Sequence, residues 1–491
     1  LDRFHLRFAR SLFVMMRQRV RNTTDSFLHG KANMVVAQDY REFIAGKAKF
    51  ADRQGFKPTF LPDWMFDFQK HLTDWAICLG RSMISADCGM GKTPMQLVFA
   101  ENCIRHTNKP AIIVTPLSVG LQTVSEAEKF GIKADRTRDG VMPKNPNIVV
   151  TNYEQLHKYD PKKFCAVVCD ESSGIKDFKS DRKATVVEFA RTIPYRLLCT
   201  ATAAPNDYWE LGTSSEALGY LGFRDMITTF FKQETSKNHH GWGRTKYRFR
   251  GHAEEPFWSW VCSWARSLRK PSDLGFSDDG FELPSLNEVE YVVQSSKCRP
   301  GMLFPTSAKD MREEREERRL TIEDRCNKAT ELANAVGDRP CVVWCELNPE
   351  ADMMERMLDG SVQVSGSMKD EAKEEAFHAF STGQIKRLIT KPKIGAWGLN
   401  WQHCSDTIVF PSHSFEQYYQ LVRRFYRFGQ KNEVNVSLVL CEGEEGILRS
   451  LKRKQHQTSR MFDMIVQHMR DSMSLVTRDY FPESERIPSW L

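Results

Sequence analysis

Between about residues 75 and 205 the chain alternates short apolar runs with helix-length amphipathic stretches, and this alternation restricts its fold more than any other feature. The runs SMISA, AIIVTP, NIVVTNYE, FCAVVCDE and YRLLCTATA are separated by stretches such as PMQLVFAENCIR and VSEAEKF. Alternation of this kind argues for a parallel sheet covered by helices. A second block spans about residues 340–442, from CVVWCE through SVQVSG, KRLITK and TIVFP to VNVSLVL. A chain of 491 residues exceeds one ordinary core, and the two blocks supply the division into two α/β layers.

Three stretches fall outside the alternation. Residues 208–285 are rich in aromatics, with Trp242, Trp258, Trp260 and Trp264, and are expected to form a small satellite core rather than a base-stacking platform. The charged run within about 307–336, KDMREEREERRLTIEDRCNKATELANAV, reads as a helix with opposite charges at i,i+4 and a solvated surface. Residues 1–38 form a basic extension, with six arginines and no acid between Arg3 and Asn22. A helix packed on the body with a basic outer face is the expected form; a targeting presequence, a membrane-surface helix and a nucleic-acid arm are the alternatives.

Composition narrows the class. Apolar residues make up 41% and charged residues 27%, the balance of a globular protein, and the net charge of +7 is a weak bias toward polyanionic partners. Thirteen cysteines without a C-x-x-C pair suggest a reducing, intracellular and hence cytoplasmic setting. No apolar stretch approaches the roughly 20 residues that cross a bilayer, so no membrane partner is expected.

The chemistry begins at ADCGMGKT, residues 86–93. A strand, a glycine turn and a helix start aim backbone N–H groups at one point, where the helix dipole also favours an anion. Gly89 and Gly91 allow close approach of phosphate oxygens, Lys92 can reach the β and γ phosphates of ATP, and Thr93 can bind Mg²⁺. Ala86 stands where the strict pattern has its first glycine. At FCAVVCDESS an apolar strand delivers Asp170 and Glu171 to its carboxyl end, where ligands collect in parallel sheets. Asp170 is placed to hold Mg²⁺ and Glu171 to polarise an attacking water. In QLVRRFYRFGQ, read as helix, Gln420, Arg424 and Arg427 fall at i, i+4 and i+7 on one face, and so many arginines call for a polyanion.

This ordered set resembles the superfamily-two helicases, specifically the Snf-type DNA-dependent ATPases and, more narrowly, their short bacteriophage-encoded members. The resemblance runs over roughly residues 40–470 and implies two RecA-like parallel-sheet lobes in tandem, with helical and aromatic insertions and a C-terminal bracing helix. It implies lobe 1 over 39–285, lobe 2 over 286–445 and the brace over 446–491. By the same resemblance Gln69 reads the adenine beside Phe68, and Arg424 and Arg427 are the arginine fingers. Nucleic-acid contacts fall to Thr115, Pro116, Thr151 and Asn152 of lobe 1 and to Ser365, Gly366, Gly398 and Asn400 of lobe 2. Two departures stand out: Ser173 replaces the histidine of the D-E-x-H box, and Arg423 replaces an acid or glycine before the first finger.

The function implied is ATP hydrolysis, with Mg²⁺, at the joint of two lobes to drive translocation along double-stranded DNA. A strand-separating helicase, the motor subunit of a restriction, modification or defence machine, and a DNA-binding scaffold with a vestigial ATP site remain open. A nuclease or methyltransferase partner beyond the chain ends goes with the third of these. The His239-His240 pair lacks metal-ligand spacing and reads as a loop.

Overall fold

The computed structural model describes residues 53–137, 139–142, 147–204, 207–236, 244–295, 311–396 and 399–480. The basic extension 1–38, the His239-His240 pair and Gly398 lie outside the described residues. The described chain divides into two compact units, residues 229–257 in one and residues 53–228 with 258–480 in the other.

The larger unit holds two parallel sheets. The first uses β1 (Arg81–Ala86), β2 (Ala111–Thr115), β3 (Ala134–Arg136), β4 (Ile148–Asn152), β5 (Ala166–Cys169), β6 (Tyr195–Thr200) and β9 (Ala265–Leu268), in the spatial order β3-β4-β2-β5-β6-β1-β9. Its helices are α1 (Asp67–Leu79), α2 (Lys92–Thr107), α3 (Gly120–Lys129), α4 (Asp181–Ala190), α5 (Leu211–Leu218), α6 (Phe223–Phe230), which leads into the smaller unit, and α7 (Glu254–Trp264), which leads out of it. All residues of β2 and β5 are buried, as expected of strands covered on both faces.

The second sheet orders β10 (Leu286–Val293), β11 (Cys341–Trp344), β12 (Ser361–Val364), β13 (Arg387–Thr390), β14 (Asp406–Val409) and β15 (Val434–Cys441) as β10-β15-β14-β11-β13-β12. Around it lie α8 (Met311–Leu320), α9 (Ile322–Ala335), α10 (Asn348–Met357), α11 (Asp370–Ser381), α12 (Pro392–Gly395), α13 (Phe415–Val422) and α14 (Glu445–Tyr480). Side chains alternate across β11: Val342 and Trp344 join a core with Phe380, Trp401 and Phe425, while Val343 and Cys341 join another with Ile408 and Phe410. The two sheets are the two RecA-like lobes of the expected fold. In the smaller unit β7 (Phe231–Ser236) pairs antiparallel with β8 (Arg244–Phe249), and the Phe231 and Phe249 rings stack at 4.6 Å.

Two expectations need correction. The stretch 208–285 is not wholly a satellite: Ala265–Leu268 is β9, paired parallel with β1, and Trp258, Trp260 and Trp264 on α7 are fully buried. ARSL is too short and too polar to register as an apolar run, yet all four residues are buried. The charged run is likewise not a solvated helix. It breaks at Thr321 into α8 and α9, and Arg318 and Arg325 are buried. Arg325 Nη1 meets Glu350 Oε1 at 2.6 Å, and Arg318 Nε meets Glu444 Oε1 at 2.5 Å, so the carboxylates arrive from distant segments. Glu350 Oε2 also accepts from the backbone N–H of Glu346 and Leu347.

The C-terminal helix α14 does return to the first lobe. Arg269 Nη2 pairs with Asp463 at 2.5 Å, and Arg470 Nη2 donates to the Ser272 carbonyl at 2.7 Å. Lys452 and Lys454 are engaged within the fold, with Glu290 Oε1 and the His413 carbonyl, both at 2.7 Å.

Burial separates these ion pairs in energy. Glu350→Ala takes from the buried Arg325 guanidinium its nearer carboxylate, leaves it only Glu444 Oε2 at 3.7 Å, and is expected to cost about 3 kcal/mol in chemical denaturation. Asp463→Ala breaks a solvated pair and is expected to cost under about 1 kcal/mol.

Candidate nucleotide site at the joint of the two lobes

β1 ends at Ala86 and the chain turns through Asp87–Gly91 into α2. Gly89 has φ +91° and Gly91 φ +78°, conformations that disfavour a side chain. Space forbids one as well: a Cβ on Gly91 would stand 2.1 Å from Gln69 Nε2, and one on Gly89 2.7 Å from the Phe428 backbone nitrogen. Gln69 holds the turn to the start of α1, its Nε2 donating to the Met90 carbonyl at 3.1 Å and its Oε1 accepting from Phe66 N–H at 3.2 Å. Phe66, Phe281 and Phe428 pack beside it, with Phe281 and Phe428 stacked at 4.6 Å.

Lys92, the first residue of α2, donates from Nζ to the Ala86 carbonyl at 2.9 Å. Burial pulls its pKa down, but the neighbouring Cys88, Glu171, Asp170 and Asp87 outweigh burial and leave it raised. Thr93 follows in the same first turn.

β5 delivers Asp170 and Glu171 beside this turn. Asp170 Oδ1 accepts from Gln96 Nε2 at 2.7 Å, and its carbonyl accepts from the Tyr153 hydroxyl at 2.7 Å. Burial, with the Glu171 charge second, pushes the Asp170 carboxyl above its usual range, against the pull of Gln96 and Lys92. Glu171 has φ +48°, a left-handed conformation that costs a non-glycine residue about 1–3 kcal/mol and gathers at functional sites.

The second lobe reaches this edge through one face of α13. Glu416, Tyr419, Gln420 and Arg423 follow at i, i+3, i+4 and i+7, and each contacts the first lobe. Glu416 pairs with Lys176, Tyr419 donates its hydroxyl to Asp87 Oδ1 at 2.5 Å, Gln420 Nε2 donates to Glu171 Oε2 at 3.4 Å, and Arg423 Nη2 meets Asp87 Oδ2 at 2.5 Å. Sequence reasoning missed Asp87, Glu416 and Tyr419. The signal available was Arg423 itself, an extra cation that requires a carboxylate.

The helix expected through QLVRRFYRFGQ stops at Val422, so Arg424 and Arg427 do not share a helical face. The chain leaves in tight turns, and Tyr426 N–H still bonds the Val422 carbonyl at 2.9 Å. These turns nevertheless gather the two side chains: Arg424 Nη1 and Arg427 Nη1 both donate to the Leu399 carbonyl, at 2.9 and 3.4 Å. Arg424 Nη2 also bonds Gln420 Oε1 at 3.0 Å and lies 4.0 Å from Cys88 Sγ in the glycine turn. Arg427 Nε is buried and, among the described residues, has no hydrogen-bond partner. Burial first, then the Arg424 charge, lowers its pKa.

A cleft of about 650 Å³ opens between the lobes, lined by Pro116, Asn152, Glu171 and Ser173 on one side and Asp370, Lys393 and Glu416 on the other. Thr115 and Thr151 do not line it. Thr115 is the last residue of β2 and Thr151 the last but one of β4, and both are buried, at 0% and 4% exposure, with Thr115 Oγ1 donating to the Thr151 carbonyl at 3.4 Å. Their expected place along a nucleic-acid backbone is therefore corrected: the residue after β2, Pro116, and the end of β4, Asn152, face the cleft instead. Ser365, Gly366 and Asn400 are at the surface of the second lobe and do not line the cleft. Among the described residues no cluster of His, Cys, Asp and Glu could by itself hold a metal ion.

This is the two-lobed α/β fold of the superfamily-two helicases. It is shared with S. cerevisiae Dbp5, solved bound to RNA and ADP BeF3, with TM-score 0.51 and 13% identity over 83% of this chain and 98% of that one. The chain is also similar to the TATA-binding protein-associated factor mot1 of Schizosaccharomyces pombe, 29% identical over 140 residues, 26% of this chain and 7% of mot1. Helicase domino of Drosophila melanogaster is 26% identical over 177 residues, 31% of this chain and 6% of domino. These relatives carry the resemblance to the Snf-type ATPases. The match spans less than a tenth of either protein, and both come from eukaryotes rather than bacteriophages. No protein-family model matches the chain.

Asp87 ties the two lobes together. Asp87→Ala leaves the half-buried Arg423 without its carboxylate and is expected to cost about 3 kcal/mol in urea unfolding, with a larger radius of gyration in small-angle scattering. Tyr419→Phe, which removes one hydroxyl, is expected to cost about 1 kcal/mol and leave the radius unchanged.

Proposed function

We propose that the chain is a motor that hydrolyses ATP at the joint of its two lobes and uses the opening and closing of that joint to move along double-stranded DNA. The observation that carries this reading is the position of Arg424, a second-lobe guanidinium 4.0 Å from Cys88 Sγ in the glycine turn of the first lobe.

In this reading the backbone of Gly89 and Gly91 and the head of α2 seat the phosphates, and Lys92 exchanges the Ala86 carbonyl for the β and γ phosphates. Gln69, already fixed to the turn, reads the adenine. The Thr93 hydroxyl and the Asp170 carboxylate are hard oxygen donors that suit Mg²⁺ and would hold it. Bound there, Mg²⁺ neutralises charge on the phosphates. Glu171 polarises the attacking water, with Gln420 fixing its carboxylate. Arg424 and Arg427 leave the Leu399 carbonyl for the γ-phosphate and stabilise the charge that develops there. Since those arginines belong to the other lobe, hydrolysis demands closure, and product release permits opening.

The nucleic acid follows the cleft and its rims. Pro116 and Asn152 meet it in the cleft on the first lobe, and Ser365, Gly366 and Asn400, on the second lobe's surface outside the cleft, meet it beyond. Contacts of this kind go to phosphate and sugar, so binding is expected to show little sequence preference and to weaken steeply with salt.

Phosphate release measured side by side with duplex DNA, single-stranded DNA and RNA tests the reading: duplex DNA is expected to stimulate most, and stimulation by none of the three contradicts a motor. Lys92→Ala is expected to abolish turnover, and Arg424→Ala to lower kcat by about 10³ while nucleotide affinity changes far less. Acid should weaken Mg²⁺ binding. The Asp170 carboxyl protonates at a higher pH than an ordinary aspartate, so a proton competes with the cation. Below that raised pKa affinity is expected to fall up to about tenfold per pH unit, read by isothermal titration calorimetry with the nucleotide present.

A further inference from the structure

The second lobe carries a second cavity, of about 460 Å³, between α8, the segment after β11 and the segment after β14. None of the residues assigned above to nucleotide or nucleic acid lines it. Its cations are Arg315, Arg318 and Arg319 of α8 and Lys393 of α12. Arg318 is committed to Glu444 and to the Pro411 carbonyl, and so fastens α8 to the lobe. Arg315 and Arg319 lie one turn apart, exposed, and among the described residues neither they nor Lys393 has an acidic partner. Of the two carboxylates in the lining, Glu314 is bonded to the His413 ring at 2.8 Å, which leaves Glu346.

Two guanidiniums at i,i+4 repel each other, and a third cation beside them adds to that repulsion. The arrangement suits a ligand that presents several negative charges at regular spacing. Arginine forks match phosphate oxygens in two-point contacts, and a lysine adds a point charge. Lys393 decides which polyanion fits. Its side chain also lines the 650 Å³ cleft between the lobes and a further cavity of about 260 Å³ that holds Pro116, so the three cavities meet at one residue.

We propose that this cavity seats the sugar-phosphate backbone of a nucleic-acid strand that runs on from the interlobe cleft past Lys393, gripped by Arg315 and Arg319. The proposal rests on the reading that the cleft holds nucleic acid. It adds a grip on the second lobe made by α8 and not by the strand ends, held rigid by Arg318.

The test is fluorescence anisotropy with a labelled DNA duplex of random sequence, titrated at several salt concentrations. Arg315→Gln with Arg319→Gln is expected to weaken binding about tenfold and to lower the slope of log affinity against log salt by about 2, near 0.9 for each phosphate no longer neutralised. Arg315→Lys with Arg319→Lys keeps both charges and is expected to keep the slope. Lys162→Gln with Lys163→Gln, an equal charge loss at exposed positions away from the cavity, is expected to bind as the parent does. Thermal unfolding at the parent's midpoint establishes that the variants are folded. If the parent binds duplex and the glutamine pair binds equally well, or binds less with the salt slope unaltered, the inference is overturned while the proposed function stands. If the parent binds no nucleic acid, the proposed function fails and the inference with it.

Discussion

One buried carboxylate, Asp87, joins the glycine turn of the first lobe to the second. It accepts from the Cys88 N–H of its own turn at 2.6 Å, from the Tyr419 hydroxyl and from the Arg423 guanidinium. In the proposed reading of this turn as an anion site, a carboxylate there works against the anion unless a cation offsets it, and Arg423 is that cation. Asp87 and Arg423 each look like a departure from pattern when read alone. Together they form an ion pair with a buried carboxylate and a half-buried guanidinium, whose value lies less in net stability than in fixing one register between two surfaces.

That register sets the rest of the joint. With Arg423 seated on Asp87, the preceding turns of α13 bring Gln420 to Glu171 and Glu416 to Lys176, and the following turns bring Arg424 to Cys88. The parallel topology makes this possible: β1, β2, β4, β5 and β6 all deliver their carboxyl ends to one edge, and the turn, Asp170, Glu171, Pro116 and Asn152 collect there. Backbone strain sits at the same edge, in the left-handed conformation of Glu171. The buried Arg318, Arg325, Glu350 and Glu444 network does comparable work inside the second lobe, where it holds α8 and α9 to the ends of β14 and β15.

Much of this was legible in the sequence because it is local. Apolar runs such as AIIVT and AVVC became fully buried parallel strands, and the octet ADCGMGKT contains both its strand end and its helix start. What was not legible depends on partners far along the chain. ARSL reads as a polar scrap until β1 lies beside it, and the arginines of α8 and α9 read as solvated until Glu350 and Glu444 arrive. Thr115 and Thr151 show where motif resemblance and burial part company, since β2 and β4 hide these two side chains and leave the next residue along, Pro116 or Asn152, at the cleft. The end of α13 at Val422 was also hidden. QLVRRFYRFGQ has helical periodicity throughout, and the turns that break it are fixed by contacts of Arg424 and Gln430 with the 399–404 segment.

The account stands on arginines of one lobe completing a phosphate site in the other. The most direct measurement is a structure of the chain with Mg²⁺ and a non-hydrolysable ATP analogue. The account predicts Lys92 Nζ drawn from the Ala86 carbonyl to the β and γ phosphates, and Arg424 and Arg427 drawn from Leu399 to the γ-phosphate. An analogue bound with both guanidiniums still on Leu399 and Lys92 still on Ala86, or bound away from the glycine turn, would contradict it.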